Sequence, residues 1–345
     1  LRLSKGKPSQ PKTANPKLPT PKHPSLIFAV GMQVHFQTES LPLFRNAVLT
    51  IGTFDGVHQG HQQIITALKK EAAAVNGETV IITFHPHPRK IVYPGVALQL
   101  INTLEEKVGL LEAQGIDHLV VVSFNQDFAS LSAEQYIADF LMRRFQPHTI
   151  IIGYDHHFGK GRKGNFKLLE EKAPIFGYKL IEIPQHVLEA IEISSTKIRH
   201  ALLGSEIETA NKALGYPFFF SGTVVHGDKL GRTLGYPTVN LQYNDADKIR
   251  LGEGVYAVTA TIKNEQFKGM LSIGKRPTLN DTIEKVEVNL FQFDREIYDQ
   301  TVCVTVHHFL RTQVRYTTLQ ALKEQIDQDK EDSLRLLENF LGNGE

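Results

Sequence analysis

A doubly wound α/β domain followed by a small antiparallel β-barrel with a terminal α-helix is the fold that this sequence predicts, and three observations carry the prediction. From residue 47 short apolar runs alternate with helical stretches, the pattern of a parallel sheet with crossover helices. Beyond Gly215 and Pro217 the pattern changes to short β-rich runs broken by Gly, Asn and Asp, the spacing of a small antiparallel barrel. A chain of 345 residues with 41% hydrophobic content can also bury more than one core. The expected organisation is a basic, Pro-rich extension over 1–31, an α/β domain over 32–215 and a barrel domain over 216–345.

The extension holds Pro8, Pro11, Pro16, Pro19, Pro21 and Pro24 together with Arg2, Lys5, Lys7, Lys12, Lys17 and Lys22, and no acidic residue in its first 25 positions. Proline at that density prevents a helix, and no core-facing period is present, so disorder is expected. The apolar run 26–30 is too short for a secretory signal, and Met32 is a candidate natural start. Strands are expected at 47–51, 79–84, 118–123, 149–152 and 179–183, with helices near 59–75, 103–114, 132–145 and 165–176. Gly77, Gly115 and Gly177 close three of those helices. Two short helices, 195–203 and 206–214, end the domain. In the barrel, runs at 254–262, 286–293 and 301–309 are expected strands; Val302, Val304 and Val306 fall on one face of the last. Apolar residues at Leu319, Leu322, Ile326, Leu334, Leu337 and Phe340 predict a helix over 317–341 packed on the barrel.

Composition narrows the function classes. The formal charge is +1, and removing the six basic residues of the extension leaves the rest at −5, which argues against a nucleic-acid partner. No segment has the length needed to cross a bilayer, so no membrane partner is expected. One cysteine, Cys303, excludes a disulfide framework and cysteine-rich zinc clusters, and suits a cytoplasmic location. Nothing in the pattern specifies an oligomeric state.

Gly52-Thr53-Phe54-Asp55-Gly56-Val57-His58-Gln59-Gly60-His61 joins the first strand to the first helix. In an open parallel sheet the ligand crevice lies at the carboxyl ends of the strands, where a helix N-terminus offers free N–H groups to an anion. The loop has no lysine, so it is not a P-loop, and it does not spell the dinucleotide fingerprint. Its donors are then the histidines. Three residues apart, His58 and His61 share a face of the first helical turn, and Gly60 leaves the backbone open to a ligand. Two imidazoles there can hydrogen-bond a triphosphate and the pentacovalent transition state of nucleotidyl transfer.

That motif resembles the signature of the nucleotidyltransferase superfamily, whose members transfer AMP or CMP to a phosphate acceptor and release pyrophosphate. The superfamily's second, basic element is matched by Ile193-Ser194-Ser195-Thr196-Lys197-Ile198-Arg199, in which Ser195 and Thr196 can cap a helix and Arg199 can pair with phosphate. Thr83-Phe84-His85-Pro86-His87-Pro88 and the stretch Gly153-Tyr154-Asp155-His156-His157-Phe158, which runs on to Gly164, sharpen the likeness to the FMN adenylyltransferase domain of bacterial FAD synthetases. The resemblance implies that Gly52, Phe54, Asp55, Gly56, Gly60, Asp155, Ser195 and Thr196 bind nucleotide, that His58, His61 and Arg199 act in transfer, and that Phe84, His85, Pro86 and Phe158 meet the flavin. His156-His157 departs from the family, which more often has an aromatic and a basic residue there; a metal site on adjacent loop histidines is disfavoured.

The barrel opens with a second Gly-rich stretch, 221–241. Gly227, Gly231 and Gly235 let backbone approach phosphate. Thr238 and Asn240, alternating along a strand, place two neutral oxygens on one face for Mg²⁺. This stretch closely resembles the riboflavin kinase signature, as do Gly254-Val255-Tyr256-Ala257, residues 272–278, Val286-Glu287-Val288-Asn289-Leu290 and His308-Phe309-Leu310-Arg311. Val239 stands where the family usually has alanine. The resemblance implies that Glu287 is the general base for the riboflavin 5′-hydroxyl, that Arg232 belongs to the nucleotide site, and that Arg311 meets flavin or phosphate. Riboflavin, FMN and ATP are the implied substrates, Mg²⁺ the cofactor, and FMN and FAD the product ligands. Two other readings stay open: a chain with one active half, and a flavin-binding regulator without turnover.

Overall fold

The computed structural model describes residues 31–184, 194–227, 230–277 and 282–338. Residues 1–30 lie outside that description, as do Ile193, Asp228, Lys229, Thr278 and Phe340 of the expected motifs and elements.

Six parallel strands form the first sheet: β1 (Gln33–His35), β2 (Val48–Ile51), β3 (Thr79–His85), β4 (His118–Ser123), β5 (Thr149–Gly153) and β6 (Lys179–Ile183). Their order is β1-β4-β3-β2-β5-β6. The five strands expected from apolar runs are all present. The sixth, β1, is short and carries no such run. It is held at the sheet edge by pairing of Val34 with Leu119 and of His35 with Val120.

Both faces of the sheet are covered, and the two-residue side-chain period of the strands decides which residue serves which face. Leu49, Ile51, Val80, Ile82, Ile150 and Ile152 meet the helical stretch α5 over 133–145 through Ile137, Phe140 and Leu141. The middle turn of α5, Tyr136–Met142, is π-wound. On the other face Val48, Ile81 and Ile151 meet α1 (Gln59–Ala74) through Ile65 and Leu68, and α3 (Leu104–Ala113) through Leu110 and Leu111. Between them α2 (Pro88–Val92) follows β3, and α4 (Gln126–Ala129) follows β4. Further on, α6 (Phe166–Phe176) precedes β6, and α7 (Ser195–Leu203) and α8 (Ile207–Leu214) lead into the barrel.

The barrel strands are β7 (Phe219–Val225), β8 (Val239–Tyr243), β9 (Gly254–Ile262), β10 (Glu265–Pro277), β11 (Thr282–Leu290) and β12 (Thr301–Arg311). They close antiparallel in the order β10-β11-β8-β7-β12-β9. Val302, Val304 and Val306 are buried as expected. The strand expected at 286–293 is displaced: β11 runs from Thr282 to Leu290 and stops where the chain turns, with Gln292 in the left-handed region at φ +55°. A short helix, α9 (Leu230–Thr233), lies between β7 and β8.

The last helix, α10 (Leu319–Leu336), packs on the barrel as expected, with only part of its apolar pattern buried. Leu337 is buried and Leu322 and Ile326 are half-buried, but Leu319 is 73% exposed and Leu334 is exposed, whereas Asp329 and Ser333 are buried. Polar contacts seat it: Arg311 forks onto Asp329 at 2.7 and 2.9 Å, and the Tyr236 hydroxyl meets Asp327.

Core packing does not stop at residue 215. One cluster runs from α1 and α3 through Leu202, Ile207, Ala210 and Leu214 to Tyr216, Phe218 and Phe220, and on into the barrel interior. Segment 99–102 of the first domain bridges Lys248 of the second, with the Leu100 N–H on the Asp247 carbonyl at 2.6 Å and the Ile249 N–H on the Leu100 carbonyl at 2.8 Å.

Candidate active sites

The loop between β2 and α1 is strained. Phe54, Gly56 and Val57 all take positive φ, at +48°, +90° and +37°. Only the glycine adopts this region freely; each of the other two costs on the order of 1–3 kcal/mol and persists because its surroundings impose it. Those surroundings come from four separate elements. The Lys107 ammonium of α3 donates to the Thr53 carbonyl at 2.7 Å, the Ser195 hydroxyl of α7 to the Asp55 carbonyl at 2.9 Å, and the Tyr216 hydroxyl to the Gly56 carbonyl at 2.5 Å. The buried Asp55 carboxylate accepts from the Ile101 and Asn102 N–H groups at 2.9 and 3.3 Å and is paired with the Arg199 guanidinium. Carbonyls are thereby turned back into the protein, at the point where the strand order reverses.

His58 is the N-cap of α1, and its ring stacks on that of His61 with centroids 3.8 Å apart, so the shared face expected from their spacing is present. Burial pushes the His58 imidazole down to about 4 and holds His61 well below its ordinary value. Both are neutral at pH 7, each with one N–H donor and one acceptor nitrogen. Among the described residues neither Nδ1 has a partner. A buried pair of unmatched ring nitrogens at a helix N-terminus can receive phosphate oxygens.

The second basic element differs in detail from its expected form. Ser194, not Ser195 or Thr196, caps α7, accepting from the Lys197 N–H at 3.3 Å. Ser195 is the first helical residue and is spent on the Asp55 carbonyl, and Thr196 is exposed. Arg199 is held through Nε on the Gln99 carbonyl at 2.8 Å and through Nη2 on Asp55, so it reaches the loop by way of a carboxylate that lies 144 residues away in sequence.

Phe84, at the end of β3, joins Phe124 and Phe128 in an aromatic cluster with centroids 5.5 and 5.7 Å away. His85 and Pro86 follow it at the carboxyl edge of the sheet, His85 exposed. Asp155 is exposed on the loop after β5. Phe158, in contrast, is buried and stacks on Tyr136 at 4.9 Å, as a wall of the α5-side core. His156 is pushed down to about 4 by burial, and among the described residues no cluster of His, Cys, Asp and Glu could hold a metal.

Sequence reading missed Lys107 and Tyr216. Lys107 had a legible signal: it lies on the apolar stripe of α3 with Leu104, Val108 and Leu111, where a lysine is out of place. Tyr216 had none, since its partner lies 160 residues away.

In the barrel, Glu287 of β11 is the cross-strand partner of Asn240 on one side and of Ser272 on the other. Val286 and Val288 face the interior, so Glu287 faces outward together with Asn240 and Ser272. Thr238, two residues before Asn240, lies just ahead of β8 rather than within it, with its methyl near Gly231. The Gly-rich stretch folds over that side. At Gly227 a Cβ would collide with the end of the Asn240 side chain, which would have to move aside. Gly231 lies against the Tyr236 carbonyl, Gly235 turns the chain at φ +83°, and the exposed Arg232 is 4.0 Å from Glu296. Asn289, on the same side of β11 as Glu287 and given no role of its own in the sequence, donates to the Pro237 carbonyl at 2.7 Å and anchors the approach to Thr238. Arg311 forks onto Asp329, which occupies the guanidinium that was expected to meet flavin or phosphate.

Comparison with known proteins matches both halves. Residues 41–197 fit the FAD synthetase family model, and residues 214–337 fit the riboflavin kinase model. A bifunctional riboflavin kinase/FMN adenylyltransferase of Buchnera aphidicola is 38% identical over 290 residues, covering 83% of this chain and 92% of that protein. The chain belongs to the bifunctional riboflavin kinase/FMN adenylyltransferase family. The family member of Bacillus subtilis is 36% identical over 302 residues, covering 85% of this chain and 93% of its own. A Streptococcus pneumoniae crystal structure described as a macrolide-efflux protein superposes with a TM-score of 0.79 at 29% identity, over 88% of this chain and 99% of that one. Its two-domain fold is thus shared along almost its whole length. Among the described residues no helix is long and apolar enough to cross a membrane.

Proposed function

We propose that the barrel phosphorylates riboflavin with ATP, giving FMN and ADP, and that the α/β domain adenylylates FMN with a second ATP, giving FAD and pyrophosphate. The observation that carries this reading is the pairing of two features on separate sheets: the stacked His58–His61 pair over a strained loop, and Glu287 opposite Asn240 on the outer face of a closed barrel.

In the barrel, Glu287 takes the proton of the riboflavin 5′-hydroxyl as that oxygen attacks the γ-phosphorus and ADP leaves. The backbone at Gly227, Gly231 and Gly235 closes over the nucleotide, with Arg232 at its edge. Thr238 and Asn240 suit Mg²⁺: they are neutral oxygen donors two residues apart, Asn240 opposite a carboxylate, and a hard cation takes such donors with phosphate oxygens and water. The ion supplies charge neutralisation on the transferring phosphate. Asn289 keeps Thr238 in place through Pro237.

In the α/β domain the loop N–H groups and the two imidazoles hold the α-phosphate of ATP while an FMN phosphate oxygen attacks it and pyrophosphate departs. Neutral His58 and His61 donate hydrogen bonds to the oxygens whose charge grows in that step. Asp55, Arg199 and Ser195 fix the loop. Phe84, His85 and Pro86 lie where the isoalloxazine would enter, and Asp155 borders the adenosine side. The domains divide at 215/216, and the enzyme is placed in the cytoplasm. There the single thiol, Cys303, is kept protonated by burial, which pushes it up to about 12.

Chromatography of products tests the assignment. Purified protein with Mg-ATP is expected to turn riboflavin into FMN and then FAD, and supplied FMN into FAD. Glu287→Gln is expected to lose the first step and keep the second. If both activities vanish in Glu287→Gln at unchanged stability, the division of labour is wrong. Flavin binding without any product would instead support the regulator.

A further inference from the structure

Two lysines are deeply buried in the described structure, and they are treated differently. Lys248 has a carboxylate, Glu106, at 2.5 Å. Lys107 is 7% exposed, and its ammonium finds the Thr53 carbonyl at 2.7 Å and the Thr83 hydroxyl at 3.5 Å, with no carboxylate within ion-pairing distance among the described residues. The acid that most favours its charge is Asp55, already engaged by Arg199 and two backbone N–H groups. A buried, unpaired cation costs several kcal/mol, so a fold keeps one only where an anion arrives to use it. Its place fits that demand: it lies beneath a nucleotide loop without a lysine of its own, and its charge is felt by His61 and His87.

We propose that Lys107 is a positioning residue for adenylyl transfer, which holds the nucleotide loop from beneath through Thr53 and supplies the buried positive charge that the polyphosphate of ATP neutralises. This rests on the adenylyltransferase reading of the loop. The groups facing its ammonium are Asp55 of the loop, His61 of α1 and His87 after β3, with Arg199 of α7 behind Asp55.

Burial lowers the Lys107 ammonium to about 8, so in the free protein it loses its proton near that pH. An arriving polyphosphate favours the charged form and raises the value, so binding takes up a proton above pH 7 and none well below it.

The test uses the full chain and its Lys107→Met and Lys107→Arg variants, with kinase activity of the same preparations as the control for folding. Lys107→Met is expected to lose FMN-to-FAD activity by roughly tenfold to a hundredfold in kcat/KM while riboflavin phosphorylation stays within about twofold. Lys107→Arg is expected to recover part of it. Proton uptake on adding Mg-ATP is then measured by calorimetry in buffers of different ionisation enthalpy. Both domains bind ATP, so the difference between wild type and variant isolates Lys107; it is expected to be about half a proton at pH 8, growing towards pH 9. Full adenylyl transfer by Lys107→Met overturns the proposal. So does equal proton uptake in wild type and Lys107→Met, which would leave only a structural lysine. If Lys107→Met loses both activities and therefore its fold, uptake by wild type against Lys107→Arg decides, because arginine does not titrate; equal values overturn the proposal. A wild type that makes no FAD from FMN would sink the reading beneath it, and the lysine's role with it.

Discussion

His58, His61, His87 and His156 are all neutral at pH 7 for one reason: burial opposes the imidazolium. The unfolded chain protonates each near 6.5, whereas folded His58, His87 and His156 protonate only near about 4. Between those values the unfolded state binds more protons, so stability is full above pH 6.5 and is lost as pH falls towards 4. The slope reaches about 1.4 kcal/mol per pH unit for each histidine. Urea unfolding midpoints measured from pH 7 to 4.5 are expected to fall continuously; a flat profile down to pH 5 would contradict the burial argument. The spacing of His58 and His61 was legible in sequence because it is local. The partners of Arg199 and Arg311 were not, because Asp55 and Asp329 reach them only through folding. Both arginines look alike in sequence, as cations free for phosphate, and both are occupied by carboxylates.

Among elements, the loops carry the chemistry and the strands aim it. Period-two alternation in β11 points Glu287 outward between two buried valines, and antiparallel register sets it opposite Asn240. A side chain at Gly227 would meet the end of the Asn240 side chain. Gly227→Ala is expected to push Asn240 aside and cut riboflavin phosphorylation by roughly tenfold or more, with FMN-to-FAD activity unchanged. Unchanged kinase kcat/KM in that variant would mean that Asn240 is not part of the site. Element existence was largely readable from apolar period. The miss occurred where period was not the cause of the element: β1 is an edge strand made by pairing, whereas the last helix is present as its period predicts, with Leu337 buried and polar anchors at Asp329 and Asp327 added to it.

At the scale of the molecule the two domains share one core and one buried ion pair. Lys248 of the barrel, 1% exposed, is held by Glu106 of α3 at 2.5 Å and by the carbonyls of Ile101 and Phe219, each at 2.7 Å. In the same segment 99–102, Ile101 and Asn102 donate to Asp55, so the barrel wall is one short segment away from the loop between β2 and α1. Lys248→Met would strand the Glu106 carboxylate in the interior at a cost of about 3–5 kcal/mol, and pairing it with Glu106→Gln is expected to return much of that. Urea unfolding of the four proteins of the cycle measures it. Wild type is expected to unfold in a single transition, and two separate transitions would show that the shared core does not couple the domains.

The sequence by itself determined what depends on neighbours along the chain: two architectures, a helix start carrying two histidines, an outward glutamate between valines, and a glycine-rich turn ahead of β8. Tertiary structure alone decided what depends on distant residues meeting. Arg199 was turned onto Asp55 and Arg311 onto Asp329, Lys107 and Tyr216 were brought under a loop far from them in sequence, and the barrel was joined to the α/β domain through Lys248. The physical reason is the range of the interactions. Helical and strand periods act over a few residues and leave a mark in the sequence at that spacing. A buried charge is matched by whichever partner folding brings within a few ångströms, and no local pattern names that partner.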